Sequence, residues 1–77
     1  MTLRQNNKGT DKECKYYVKL DLNIDWDKYK VYFTVVEWCD QTRFICSTNY
    51  EAGELKEALE HFNTVTNKYE EEYNSKD

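Results

Sequence analysis

The 77-residue chain contains no proline, two glycines (Gly9 and Gly53), one histidine and one methionine. It also lacks low-complexity runs and Pro/Gly-rich linkers, so nothing divides it, and a chain this short forms one domain at most. No window approaches the ~18 apolar residues of a membrane-spanning helix. The N-terminus lacks the apolar core of a secretory signal. Cys14, Cys39 and Cys46 make an odd set with no C-x-x-C pair, and His61 is the only histidine. The paired ligand spacings of a structural zinc site are therefore missing, and no metal or other cofactor is expected. The thiols read as reduced cysteines of a cytoplasmic protein, two of them in the core. A chain of this size rarely encloses a catalytic pocket, so a non-enzymatic protein is expected.

What remains is charge and aromatic surface. Charged residues make up 34% of the chain and aromatics 16%, and disordered chains are poor in aromatics, so the middle of this one folds. The net charge of −4 is uneven. Residues 1–20 carry five basic against two acidic side chains, whereas the other 57 carry six against thirteen. That acidity disfavours generic binding to nucleic acid, whose affinity comes from phosphate neutralisation, and favours encounter with basic partners.

Residues 1–14 are polar and unpatterned and read as a flexible tail, residues 15–73 as one domain, and residues 74–77 as a frayed C-terminus. From Lys15 to Trp26 the chain alternates. Tyr16, Val18, Leu20, Leu22, Ile24 and Trp26 take one side; Lys15, Tyr17, Lys19, Asp21, Asn23 and Asp25 take the other. A turn over Asp25–Lys28 leads to a second strand, Lys30–Cys39, rich in β-branched and aromatic residues. A reversal at Asp40–Arg43 leads to a third, Phe44–Thr48. A helix over Tyr50–Tyr73 follows, with Leu55, Ala58, Leu59, Phe62, Val65, Tyr69 and Tyr73 as its apolar stripe and Thr48/Glu51 as a capping box. These elements predict an α+β fold: a three-stranded antiparallel β-meander packed against one C-terminal helix, two layers in the order β-β-β-α.

A four-residue loop at Asp25–Lys28 sets Ile24 opposite Tyr29, Leu22 opposite Val31, Leu20 opposite Phe33 and Val18 opposite Val35. A two-residue loop at Gln41–Thr42 sets Cys39 opposite Phe44 and Trp38 opposite Ile45. One face then holds Val18, Leu20, Leu22, Ile24, Val31, Phe33, Val35, Cys39, Phe44 and Cys46, which is the expected core. Glu37 falls on that face opposite Tyr16, at a sheet end. His61 sits at the edge of the helix stripe, four residues after Glu57, and reads as a surface hydrogen-bonding residue. Asp25 and Asp27 read as turn formers.

The opposite face is the candidate site. Tyr17, Tyr32, Val36, Trp38 and Ile45 would merge there into one apolar patch flanked by Lys19 and Arg43. Contiguous exposed apolar residues mark contact surfaces, and tyrosine and tryptophan beside arginine is the composition of binding hot spots. Burying the patch against a second copy of the chain would also stabilise so small a domain. On the helix, Glu54, Glu57, Glu60, Glu70, Glu71 and Glu72 supply acidic charge interrupted by Lys56 and Lys68, available to steer a basic partner.

Three resemblances follow. The run Tyr50-Glu-Ala-Gly-Glu-Leu-Lys-Glu-Ala-Leu-Glu-His-Phe62 looks like one step of a tetratricopeptide repeat, but it occurs once and has no neighbour to stack on. The order of three strands and a helix over Lys15–Tyr69 is similar to the arm-binding domains of phage-type integrases. That likeness implies a DNA-binding sheet face here, carrying Lys15, Lys19, Lys30 and Arg43 beside Asp21 and Asp40. In size, acidity and a tyrosine-rich open sheet, the chain resembles small phage-encoded inhibitors of bacterial defence, anti-CRISPR proteins among them. The resemblance implies a protein-binding inhibitor in the host cytoplasm that occludes a larger, nucleic-acid-binding protein. The alternative is a small nucleic-acid-binding sheet domain using the basic residues and aromatics as a stacking platform.

Overall fold

A computed structural model of the chain describes residues 1–9 and 13–74. Residues 10–12 of the expected tail and 75–77 of the expected frayed end lie outside the described residues. Four strands form one antiparallel sheet in sequential order: β1 (Thr2–Lys8), β2 (Tyr16–Asp25), β3 (Lys30–Cys39) and β4 (Cys46–Glu51). A 3-10 turn at Ala52–Glu54 leads into helix α1 (Leu55–Asn74). The molecule is elongated, 46 × 24 × 18 Å, because ten-residue strands and a twenty-residue helix run the same length.

The fold is α+β with an antiparallel sheet and one C-terminal helix, but the sheet has four strands rather than three. The unforeseen strand is β1, which pairs with β2 through Arg4–Leu20 to Lys8–Tyr16, with an irregularity between Thr2 and Arg4. The N-terminal ammonium of Met1 donates to the Leu22 carbonyl at 2.9 Å. Asn6 Nδ2 donates to Glu70 Oε1 at 2.9 Å, and Lys8 Nζ to the Tyr73 carbonyl at 3.2 Å, tying the strand to the helix. An edge strand with little to bury carries no apolar alternation, so its sequence reads as a tail. Gly9 closes β1 at φ 101, and a Cβ there would collide with the Glu13 carbonyl oxygen.

Helix and sheet share one core: Tyr16, Val18, Leu20, Phe33, Val35 and Cys39 from the sheet; Ala58, Phe62, Val65 and Tyr69 from α1. Val18, Leu20 and Val35 are at most 1% exposed. Burying such side chains contributes about 1.5–3 kcal/mol each. Leu22, Tyr50, Leu59 and Tyr73 pack around the rim.

Several expected core positions lie elsewhere. Ile24 and Val31 pair at the β2–β3 hairpin end yet stay 46% and 39% exposed, because the ladder continues past the start of the helix, where Leu55 is itself 38% exposed. Phe44 is 74% exposed and Cys46 is also exposed, so Cys39 is the one cysteine of the three that is buried. The β3–β4 pairing has the expected offset, but its ladder begins only at Glu37–Cys46 and runs on to Tyr32–Glu51. Arg43, left-handed at φ 58 with its N–H on the Cys39 carbonyl, turns the chain and leaves residues 43–45 outside the sheet.

The β2–β3 register differs by two residues. Leu22 faces Phe33 and Leu20 faces Val35, because the loop is Trp26–Tyr29 and Asp25 pairs with Lys30. Asp25 Oδ1 accepts the N–H groups of Asp27 and Lys28, and Tyr29 closes the loop at φ 51. A slip of two preserves side-chain parity, so the assignment of faces survives it. The helix starts later than its stripe implied, since β4 continues to Glu51. The cap shifts with it: the Glu51 N–H donates to Glu54 Oε1 at 2.9 Å, one arm of a capping box.

Candidate interaction surface

The sheet face turned away from α1 has no layer over it among the described residues. Alternation along β2 and β3 places Tyr17, Lys19, Asp21 and Asn23 beside Tyr32, Thr34, Val36 and Trp38 on this face, all half-buried by one another. Tyr17 and Trp38 are cross-strand partners, and their rings stack with centroids 5.8 Å apart and planes 17° off parallel. Lys19 Nζ lies 5.3 Å from the Tyr17 ring centroid, and Lys19 pairs with Val36 on β3. The ammonium over the ring face is a cation–π contact, which keeps the charge beside the aromatic pair rather than extended into water.

Further along, the face turns polar. Asn23 Nδ2 donates to Thr34 Oγ1 at 2.9 Å, and Thr34 Oγ1 donates to Asn49 Oδ1 at 2.9 Å, a hydrogen-bonded row across three strands. Thr2 Oγ1 donates to Asp21 Oδ1 at 2.9 Å on the β1 side. The surface is therefore graded, with aromatic and cationic groups at the Tyr17/Trp38 end and neutral amides and hydroxyls toward the hairpin.

This geometry divides the expected site. Tyr17, Lys19 and Trp38 come together with Val36. Tyr32 lies six residues along β3 from Trp38, about 20 Å at the rise of a strand. It lines instead an open cleft of about 610 Å³ between the Asp25–Lys30 turn and the Glu51–Gly53 corner. Arg43 and Ile45 sit in the β3–β4 loop; Ile45 is 67% exposed and is not paired with Trp38. Glu54, Glu57 and Glu60 are exposed on the helix layer, across the thickness of the molecule from the open sheet face. Among the described residues, those up to 50 carry seven basic and six acidic side chains, whereas residues 51–74 carry two and seven. The negative excess of the described residues thus lies from Glu51 onward, nearly all of it on the 3-10 turn and helix, so the two layers differ electrostatically.

Sequence reasoning missed a polar network between helix and sheet. Tyr50 Oη and His61 Nδ1 are 2.9 Å apart, and His61 Nε2 lies 3.6 Å from Glu37 Oε2. Tyr69 Oη donates to the other Glu37 oxygen at 3.4 Å. Beyond it, Tyr73 Oη donates to Asp40 Oδ1 at 2.6 Å, and Lys15 Nζ lies 3.8 Å from Asp40 Oδ2. The rings of Tyr69 and Tyr73 each lie 5.3 Å from that of Tyr16. Glu37, expected at a sheet end opposite Tyr16, pairs with Val18 and faces the middle of the helix. His61 is half-buried rather than a surface residue. The signal that could have found them is the core-side parity of Glu37 together with a histidine beside the helix stripe.

Burial, then the neighbouring Glu37 charge, pushes the Tyr69 hydroxyl well above the usual tyrosine range; burial, then Asp40, does the same at Tyr73. Tyr16 is raised by burial and by Glu70. Burial also pushes the Cys39 thiol up, but hydrogen bonds from the Thr42 hydroxyl and the Thr42 and Gln41 N–H groups outweigh it, so the net shift is downward. The network holds the open end of the helix to the sheet through tyrosine hydroxyls on carboxylates, and it lies away from the cleft.

Among the described residues no group of three His, Cys, Asp or Glu is placed to hold a metal ion, and no helix is long and apolar enough to cross a membrane. Compared with known proteins, the chain matches no family model, no curated protein and no solved structure.

Proposed function

We propose that this chain is a small acidic, non-enzymatic binding protein that acts by occluding a surface on a larger protein. The action would be that of the phage-encoded inhibitors of bacterial defence it resembles in size and charge, exerted in the host cytoplasm. The observation that carries this reading is the open sheet face, where Tyr17 and Trp38 stack across two strands with Lys19 against the Tyr17 ring. A rigid aromatic pair loses little side-chain entropy on binding and presents a large apolar area, the properties of an interface anchor. The acidic helix layer favours a basic partner, one whose basic surface ordinarily holds nucleic acid. Glu54, Glu57 and Glu60 raise the encounter rate while the sheet face makes the contact.

The test is a side-by-side capture from the source cell with the native chain, Trp38→Ala, and Glu57→Lys/Glu60→Lys as baits, followed by affinity measurement on the retained protein. Trp38→Ala should weaken binding about 30-fold or more, the effect of losing a hot-spot tryptophan. The charge reversal should slow association, with the deficit shrinking as salt rises. Equal capture and affinity for all three baits would remove the proposal. A gel shift at ~50 mM salt that depends on Lys15 and Lys19 would favour a nucleic-acid-binding sheet instead.

A further inference from the structure

An open four-stranded sheet has two edges, and here they are protected very differently. The β1 edge has an irregularity between Thr2 and Arg4, carries Arg4 and Lys8, and is tethered to the helix through Asn6 and Lys8. Bulges and cationic side chains are the usual means of preventing edge-to-edge pairing. The β4 edge has none of them. Cys46, Ser47, Thr48 and Asn49 are exposed, and no charge, proline, glycine or bulge interrupts residues 44–50. Immediately before β4, Phe44 and Ile45 are 74% and 67% exposed in the loop that follows the Arg43 turn, outside the ladder.

We propose that β4 pairs antiparallel with β4 of a second copy of this chain about a twofold axis at Ser47, residues 43–45 straightening on association to extend each strand, so that two four-stranded sheets join into one of eight. The segment from Arg43 to Glu51 is self-complementary about Ser47. An antiparallel twofold sets Cys46 opposite the other copy's Thr48, Ile45 opposite its Asn49 and Phe44 opposite its Tyr50. It also brings Arg43 to the end occupied by its Glu51. Each aromatic meets an aromatic, and the one cation of the segment meets the one carboxylate.

The faces agree as well. Thr48 and Tyr50 pair with the core-side residues Val35 and Phe33, so even-numbered positions of β4 lie on the helix side. With residues 43–45 drawn into the strand, the same alternation brings Phe44 to the helix side of the neighbouring copy beside Tyr50, a ring already fixed by its bond to His61. Because residues 44–50 are uncharged, two chains of net charge −4 meet there without like charges in contact. Residues 44–50 of each copy and two apolar side chains make a contact smaller than the ~1,200 Å² of a stable interface, so association is weak and is read at high protein concentration. This contact uses neither Tyr17 nor Trp38 and leaves the open sheet face of both copies free.

Sedimentation velocity of the full chain from ~1 to ~300 µM should show the mass rise from 9.4 kDa toward twice that value. Phe44→Lys/Ile45→Lys, which changes only exposed loop residues, should stay single-copy throughout with an unchanged far-UV spectrum. Ser47→Cys in a Cys14→Ser/Cys46→Ser background should oxidise to a disulfide-linked pair faster than Asn49→Cys in the same background. Only the residue on the axis faces itself, at the ~4.5–5.5 Å Cα spacing of an antiparallel pair. A native chain that stays single-copy at ~300 µM overturns the proposal. So does self-association that survives the double lysine variant or is abolished by Trp38→Ala, and so does equal crosslinking at positions 47 and 49. Trp38→Ala that leaves the pair intact while losing the larger partner separates this contact from the one under Proposed function.

Discussion

Tyr73→Phe removes one oxygen atom, the hydroxyl that donates to Asp40 Oδ1 at 2.6 Å, and keeps the ring packed 5.3 Å from Tyr16. A hydrogen bond to a charged acceptor contributes about 1.5–3 kcal/mol when solvent cannot replace it. The Asp40 side chain is 37% exposed and Lys15 approaches its other oxygen, so water takes up part of the loss. The expected destabilisation is therefore about 1 kcal/mol, a fall of ~4–8 °C in Tm for a domain of this size. The pH dependence makes the test sharper. Burial and the bond to Asp40 raise the Tyr73 pKa above its unfolded value of 10.0. The folded state thus holds this proton more tightly than the unfolded chain. The associated stability is complete below pH ~10 and is lost as pH rises beyond it. In urea titrations followed by circular dichroism, the gap between native chain and variant should be largest at pH 7 and narrow above pH ~10. A variant within ~0.3 kcal/mol of the native chain at neutral pH would refute the assignment of Tyr73 to Asp40, and so would a gap that widens in alkali.

Three further outcomes follow from the packing. Leu20 is 1% exposed at the centre of the core, so Leu20→Ala should remove about 2–5 kcal/mol; a Tm within a few degrees of the native value would contradict the core assignment. Deleting Met1–Lys8 strips the guarded edge and bares β2 beside Val18 and Leu20, so in a Phe44→Lys/Ile45→Lys background, where the β4 contact is blocked, the shortened chain should self-associate in light scattering as concentration rises; a single-copy species of unchanged Tm would show that β1 contributes nothing. Glu54→Ala removes the acceptor of the Glu51 N–H and should weaken the helix start by about 0.5–1 kcal/mol, read as a lower urea midpoint with an unchanged m-value.

Much of this architecture was legible in the sequence because burial imposes a period. Six alternating pairs from Lys15 to Trp26 can satisfy only a strand with one face on a core, and the three-and-four spacing from Leu55 to Tyr69 only a helix lying on that face. A two-residue error in the hairpin did no harm to the assignment of faces, since parity repeats every two residues. The errors fall where burial imposes nothing. The strand over Thr2–Lys8 is held by backbone bonds to an edge, a contact open to nearly any sequence. The extents of the two hairpins depend on Tyr29 and Arg43 adopting left-handed backbone, which neither residue type advertises as glycine or asparagine would.

The composition of the candidate surface was likewise readable, but its connectivity was not. Tyr17, Lys19 and Trp38 adjoin because they occupy facing positions on paired strands, whereas Tyr32 shares only their parity, and Arg43 and Ile45 would reach the patch only if the β3–β4 ladder ran on past Glu37–Cys46, which it does not. The sequence by itself determined which side chains could leave water together, because hydrophobic periodicity is local and tolerates small errors of register. Only the tertiary structure decided how far each ladder runs, which edge stays bare, and that Glu37 and His61 meet beneath the helix. Those outcomes depend on non-local backbone pairing and on where one layer stops covering another, and no short window of sequence contains either.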